Sequence, residues 1–218
     1  MKELQFLQHF ILIRLKLIMN KKILILDYGL GNIMSLKNAI IKIGFNPQLY
    51  SQTKKIDDFE ILIIPGVGSF NKASNIFKKK NLFKIITKFY LSNKKIIGIC
   101  LGMQLMLSKG YEFKKSSGIN LIKGNVKKIN NKIKLPIVGW YKTTFNKKKF
   151  EYFNNKKFYY IHSYAANDVI KKNILCRNKC QKLNYISGII DKNLYGFQFH
   201  PEKSGNIGLK LLKNTILD

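Results

Sequence analysis

Lys95-Ile96-Ile97-Gly98-Ile99-Cys100-Leu101-Gly102-Met103-Gln104 passes from a short apolar strand into a helix across a single cysteine. The run through Ile99 is too short and too β-branched for a helix, whereas Leu101, Leu105 and the Met103/Met106 pair fall at helical spacing. Cys100 therefore stands at the junction. Gly98 and Gly102 leave room for a tight turn with closely packed flanks, which is the mechanical content of a nucleophile elbow with sulfur in place of oxygen. A helix N-terminus is a favourable place for an anion, and the free amide of Leu101 can face a developing oxyanion.

The same rhythm extends upstream. Lys22 to Leu26 reads as a first strand, and Ile33, Leu36, Ile40 and Ile43 make one face of a helix closed by Gly44. Pro47 to Tyr50 begins a second strand, Ile61 to Ile64 is a third, and one helix is expected from about Ser74 to Tyr90 before the strand that ends at Cys100. Strands alternating with helices predict an α/β fold: a mostly parallel open sheet flanked by helices on both faces, with its ligand beyond the carboxyl ends of the strands. From Tyr111 to about Asp191 short alternating strands, among them Gly118 to Lys128 and Phe158 to Ala165, predict an antiparallel addition packed on the main sheet. A helix over Ile207 to Ile216, with Leu211, Leu212 and Ile216 on its apolar face, closes the chain.

Downstream of the elbow, Tyr195-Gly196-Phe197-Gln198-Phe199 alternates like a half-buried strand and Pro201 stops it just after His200, with Glu202 two residues on. An imidazole there can take a thiol proton and return it to a leaving amine, and the carboxylate can fix its tautomer. The chain has three histidines, and His9 lies ahead of the first strand, so the candidate bases are His162 and His200. In Phe158 to Tyr164, period two puts Tyr160, His162 and Tyr164 on one face. Gly66 and Gly68 follow a strand in Pro65-Gly66-Val67-Gly68, where backbone amides can serve as an oxyanion donor or a carboxylate clamp. Neither this run nor Gly29-Leu30-Gly31 continues into Gly-x-Gly-x-x-Gly, which argues against a dinucleotide.

Four segments carry a resemblance: Pro65 to Gly68, Gly98 to Gln104, His162-Ser163-Tyr164, and Gly196 to Gly205 with its His-Pro-Glu-Lys-Ser-Gly ending. The chain from Met19 to the end resembles the class I glutamine amidotransferases, and among them the glutaminase subunits of imidazole glycerol phosphate synthases. The resemblance implies a Cys100, His200, Glu202 triad that hydrolyses L-glutamine through a thioester, without a metal or other cofactor. It implies an oxyanion and substrate loop of Gly66, Val67, Gly68 and Leu101, and glutamine held by Gln104, Ser163 and Tyr164. Asn32, Trp140 and His162 are implied at the partner interface or the ammonia passage. The implied partner is a (βα)8 synthase subunit in a cytoplasmic heterodimer, which uses the ammonia to make imidazole glycerol phosphate in histidine biosynthesis. Where the family reads Pro-His-x-Gly-Trp-Asn, this chain has Pro136-Ile137-Val138-Gly139-Trp140-Tyr141. That departure leaves open a paralogue feeding a surface-sugar amidotransferase.

The length of 218 residues suits one domain, and no Gly/Ser/Pro-rich linker divides it. The formal charge of +29 taken alone points to a basic scaffold or a nucleic-acid-binding protein. Its make-up argues otherwise: only Arg14 and Arg177 are arginine, and the joint wealth of lysine, asparagine and isoleucine is what an adenine/thymine-rich genome produces. Arginine forks suited to phosphates and bases are missing, so no nucleic-acid partner is expected. Cys176 and Cys180 lack the spacing of a zinc knuckle, and a catalytic thiol suits a reducing compartment. Met1 to Ile18 contains the apolar run Phe10 to Ile13 but is too short and too charged to span a bilayer, so no membrane association is expected. It is read as an extension ahead of a domain spanning residues 19–218.

Overall fold

The computed structural model describes residues 21–53, 55–129, 133–180 and 183–218. The extension expected over residues 1–18 lies outside the described residues. Strand β1 (Ile23–Ile25) pairs in parallel with both β2 (Gln48–Leu49) and β3 (Ile61–Ile64). β3 pairs in parallel with β4 (Lys95–Ile99), and β4 with β13 (Leu194–Phe197). The central strands β1, β3, β4 and β13 are buried on both sides, and their alternation feeds two cores. Ile23, Ile25, Ile61, Ile63, Ile97 and Ile99 face one, while Leu24, Leu26, Leu62, Ile64 and Ile96 face the other. Such two-sided burial is why the runs read as continuous Ile/Leu rather than as alternation with polar residues.

Helices α1 (Ile33–Lys42) and α5 (Gly205–Leu217) cover the first face, with Leu36, Ile40, Leu211, Leu212 and Ile216 in its core. Helices α2 (Phe70–Lys79), α3 (Leu82–Leu91) and α4 (Leu101–Leu105) cover the second. The single helix expected over Ser74 to Tyr90 is therefore two. Asn81 adopts φ 55°, ψ 26°, a left-handed conformation that asparagine tolerates better than most residues. The break re-aims the chain, so that Phe70 and Phe77 of α2 and Leu82, Ile86 and Phe89 of α3 all bury against the same sheet face.

The antiparallel addition is present but does not pack on the main sheet as expected; it continues that sheet edge to edge. β12 (Leu183–Asp191) pairs antiparallel with β13, β10 (Tyr164–Asn167) with β12, and β7 (Ile122–Lys128) with β10. β5 (Leu107–Gly110) then joins β7 in parallel, and β6 (Ser116–Ser117) ends the row. A branch made of β11 (Ile174–Cys180), β8 (Ile137–Phe145) and β9 (Lys156–His162) extends from β12. Two strand ends also shift. The run expected from Gly118 begins at Ile122, and the run expected over Phe158 to Ala165 divides at Ser163, where the chain passes from β9 to β10. Among the described residues no helix is long and apolar enough to cross a membrane.

Candidate active site

Cys100 lies between β4 and α4 with φ 53° and ψ −110°, a combination that costs an L-residue about 1–3 kcal/mol. Two anchors over-determine it: its N–H donates to the Phe197 carbonyl at 2.7 Å, and its carbonyl accepts from the Gln104 N–H at 3.1 Å. Close packing beneath the turn needs glycine at 102, since a Cβ there would stand 1.9 Å from the Ile64 carbonyl oxygen. The strain is what lifts the sulfur out of the sheet toward a pocket of about 280 Å³.

His200 arrives from the neighbouring strand. The register Gly196↔Gly98 and Phe197↔Ile99 makes the chains leave β13 and β4 side by side, and His200 N–H then donates to the Tyr159 carbonyl at 2.9 Å. Ser204 secures the same bend, donating to the His200 carbonyl at 2.6 Å while accepting from the Tyr159 N–H at 3.0 Å. Glu202 Oε1 lies 2.7 Å from His200 Nδ1, both side chains being almost fully buried. That contact assigns the Nδ1 proton and leaves Nε2 for the sulfur. Nε2 is buried and has no hydrogen-bond partner among the described residues. Burial alone would lower the His200 pKa, but the charge of Cys100 and the hydrogen bond and charge of Glu202 raise it to about 10.

The other sequence-predicted residues distribute as follows. Val67, Gly68, Leu101, Gln104, His162, Ser163 and Tyr164 line the pocket with Cys100 and His200. Gly66 sits behind it, where a Cβ would meet Leu101 Cβ at 2.7 Å and the Gly102 nitrogen at 2.9 Å. His162 bonds the Tyr164 carbonyl through Nδ1 at 2.9 Å and the Tyr185 hydroxyl through Nε2 at 3.2 Å. Burial, with the charge of His200 against it as a lesser cause, lowers the His162 pKa to about 4 despite the bond to Tyr164. Asn32 lies outside the pocket and caps α1, its side chain accepting from the Ser35 N–H at 3.2 Å. Trp140 also lies outside, on the outer face of β8, with its ring edge-on to Tyr159.

Three residues near the pocket were not singled out by motif reading. Glu112 lines it, its Oε2 accepting from the Phe70 N–H at 2.6 Å, and burial raises its pKa against that bond. It follows β5 in a turn with no local signature, so only the tertiary structure could place it. Tyr28 is buried, and its hydroxyl donates to the Pro65 carbonyl at 3.1 Å at the root of the glycine loop. Gln198 is wholly buried between Phe197 and Phe199. A polar residue between two aromatics inside a motif was a legible signal, but strand alternation alone placed it toward solvent.

Comparison with known proteins agrees with this architecture. The class I glutamine amidotransferase family matches residues 24–218, which sets the class. A solved PurLQS structure from Thermotoga maritima superposes with a TM-score of 0.72 at 20% identity, over 90% of this chain and 98% of that one, a likeness of fold. Imidazole glycerol phosphate synthase subunit HisH 2 of Methanococcus maripaludis is 39% identical over 89% of this chain and 98% of its own length. Subunit HisH of Caldanaerobacter subterraneus is 38% identical over 87% and 95%. The chain belongs to this HisH family of class I glutamine amidotransferases.

Proposed function

We propose that the chain is the glutaminase subunit of an imidazole glycerol phosphate synthase, with Cys100 as nucleophile, His200 as base and acid, and Glu202 as the group that orients the imidazole. The observation that carries this reading is the strained elbow at Cys100 facing a histidine whose other nitrogen is held by a buried carboxylate. His200 Nε2 takes the thiol proton, and the sulfur attacks the side-chain amide carbon of glutamine. The resulting oxyanion is met by the Leu101 N–H and by amides of the loop from Gly66 to Gly68. His200 returns the proton to the departing nitrogen, which leaves as ammonia, and a thioester remains. A water deprotonated by His200 then releases glutamate and restores the thiol.

Gln104, Ser163 and Tyr164 hold the amino-acid end of the substrate, and Glu112 supplies the carboxylate that an α-ammonium group calls for. Gln104 uses its Nε2 for the Tyr164 carbonyl and the Gln198 Oε1, both at 2.9 Å, which keeps its Oε1 as an acceptor for substrate. Ammonia passes to a (βα)8 synthase subunit, which completes imidazole glycerol phosphate in the cytoplasm. A surface suited to that partner adjoins the pocket. On β8 and β9, Val138 faces Ile161 and Trp140 faces Tyr159, and Val138, Trp140 and Ile161 are 48%, 49% and 42% exposed. The departures Ile137 and Tyr141 alternate to the opposite, inner face, where Ile137 is buried and Tyr141 packs on Tyr160. One domain over residues 19–218 carries the whole activity.

The test is glutamine-to-glutamate turnover by the chain alone and mixed with its synthase subunit and that subunit's ribulosyl substrate. Stimulation in the mixture with imidazole glycerol phosphate formed is the expected result. Cys100→Ala is expected to abolish glutamine-dependent synthesis and to spare synthesis from added ammonium. Loss of both in an intact complex would refute the division of labour.

A further inference from the structure

The sulfur of Cys100 has a neighbour that the triad does not account for. Gln198 is 0% exposed, and its Nε2 stands 3.6 Å from Cys100 Sγ, within hydrogen-bond reach of sulfur. One end of a side-chain amide donates and the other accepts, so the partners of the two glutamines set the direction of this contact. The Tyr164 backbone carbonyl can only accept, so the end of the Gln104 amide that meets it at 2.9 Å is the donor Nε2. That same Nε2 has a second proton, directed at the near atom of Gln198 at 2.9 Å, which must then be the acceptor Oε1. The end of Gln198 at the sulfur is therefore NH2. A one-way relay runs from a β10 carbonyl through two glutamines to the nucleophile.

We infer that Gln198 is a further catalytic residue of this site: its side-chain amide, fixed by Gln104, donates a hydrogen bond to the Cys100 sulfur and stabilises it as the thiolate formed when His200 takes the proton. The Ile161 carbonyl, 3.9 Å from the sulfur, is an acceptor, which serves the protonated thiol and has nothing to offer the anion. Gln198 is the complementary partner, since a buried anion needs donors and an imidazolium supplies only one. The titratable groups around the sulfur are His200 with Glu202 behind it, Tyr28, and the pocket residues Glu112, His162 and Tyr164. Because Gln104 also borders the substrate pocket, the relay couples occupation of that pocket to the donor at the sulfur. The inference rests on Cys100 being the nucleophile.

The test uses Gln198→Met, which keeps volume and removes the donor, and Gln198→Glu, which keeps shape and places an acceptor or a charge against the sulfur. Iodoacetamide alkylation of Cys100, followed by mass spectrometry at pH 7, is expected to slow about tenfold in Gln198→Met and further in Gln198→Glu, in keeping with loss of a charge-assisted hydrogen bond. The acid limb of the glutaminase kcat/KM profile should move to higher pH in both, with KM within about threefold of wild type if the loss is confined to the anion. Alkylation rates and pH limbs equal to wild type would overturn the inference. Should the variants fail to fold, the wild-type chain still decides: in glutamine-¹⁵N-labelled protein the Gln198 side-chain amide resonance is expected to shift with the pH midpoint of Cys100 alkylation, and an unmoved resonance overturns the role. Cys100→Ala separates the two levels, because retained glutaminase activity there would sink the parent reading, whereas lost activity beside unaffected Gln198 variants would sink only the donor.

Discussion

His162 and His200 border one pocket and titrate in opposite directions, for different physical causes. Burial holds His162 down, at about 4 against 6.5 for a free imidazole, so between these values the unfolded chain binds a proton that the folded chain refuses. Stability therefore falls as pH drops through that window. His162→Gln is expected to flatten the decline of the thermal midpoint between pH 6.5 and 4, as measured by calorimetry; an unchanged slope would mean that other groups set it. His200 is raised to about 10 against burial, by Cys100 first and then Glu202, so its contribution is full below 6.5 and is lost as pH rises through about 10. Glu202→Gln should shrink that alkaline loss and slow turnover about 10²–10⁴-fold, because the imidazole loses both its tautomer restraint and its counter-charge. Thermal melts across pH 6–10 check the first part and stopped-flow glutaminase assays over the same range check the second.

At the scale of elements, the site depends on how closely α4 rides on the sheet. Gly102→Ala would drive a Cβ to 1.9 Å from a backbone oxygen of β3, and neither backbone can yield without moving the elbow. A loss of about 3 kcal/mol or more follows, lowering the thermal midpoint by roughly 6–12 °C for a domain of this size. Glutaminase activity should fall further than the folded fraction does. The break between α2 and α3 is a second case. Asn81→Gly is expected to cost only a few tenths of a kcal/mol in urea unfolding, and Asn81→Val about 1–2 kcal/mol, since only the second pays the left-handed steric cost. Equal costs would show that the break is held by the aromatic contact between Phe77 and Phe83 rather than by the local conformation.

For the molecule as a whole, charge and exposed apolar surface act separately. The formal charge of +29 is answered among the described residues by four lysine–carboxylate pairs, all at the surface: Lys21–Glu60, Lys88–Asp57, Lys127–Asp168 and Lys149–Asp218. Exposed pairs of this kind contribute little, so self-repulsion is the dominant charge effect on the fold. Raising salt from about 20 mM to 300 mM should raise the thermal midpoint as the Debye length contracts, and a falling midpoint would show the pairs outweighing the repulsion. The strip of Val138, Trp140 and Ile161 is a different matter, because its side chains are only half covered by their own chain. Trp140→Ala is expected to weaken association with the synthase subunit about 10–100-fold while leaving the thermal midpoint within a few degrees, as read by titration calorimetry and thermal melts.

The sequence by itself determined the parallel core and the elbow, and it placed His200 at a strand end with Glu202 two residues on, leaving His162 as the other candidate base. Each of these is written in local signals: continuous Ile/Leu runs, glycines flanking Cys100, and a proline that stops the strand after His200. The helical periodicity of α1 and α5 was equally legible. What only the tertiary structure decided depends on contacts between residues far apart in the chain. The addition joins the sheet edge to edge because β12 finds β13, a pairing that no local pattern specifies. Glu112 reaches the pocket because its carboxylate accepts from Phe70 at the start of α2, and Gln198 is turned inward because Gln104 waits for it there. Hydrophobic periodicity fixes which face of an element is buried; which polar group meets which is settled only when the elements close on one another.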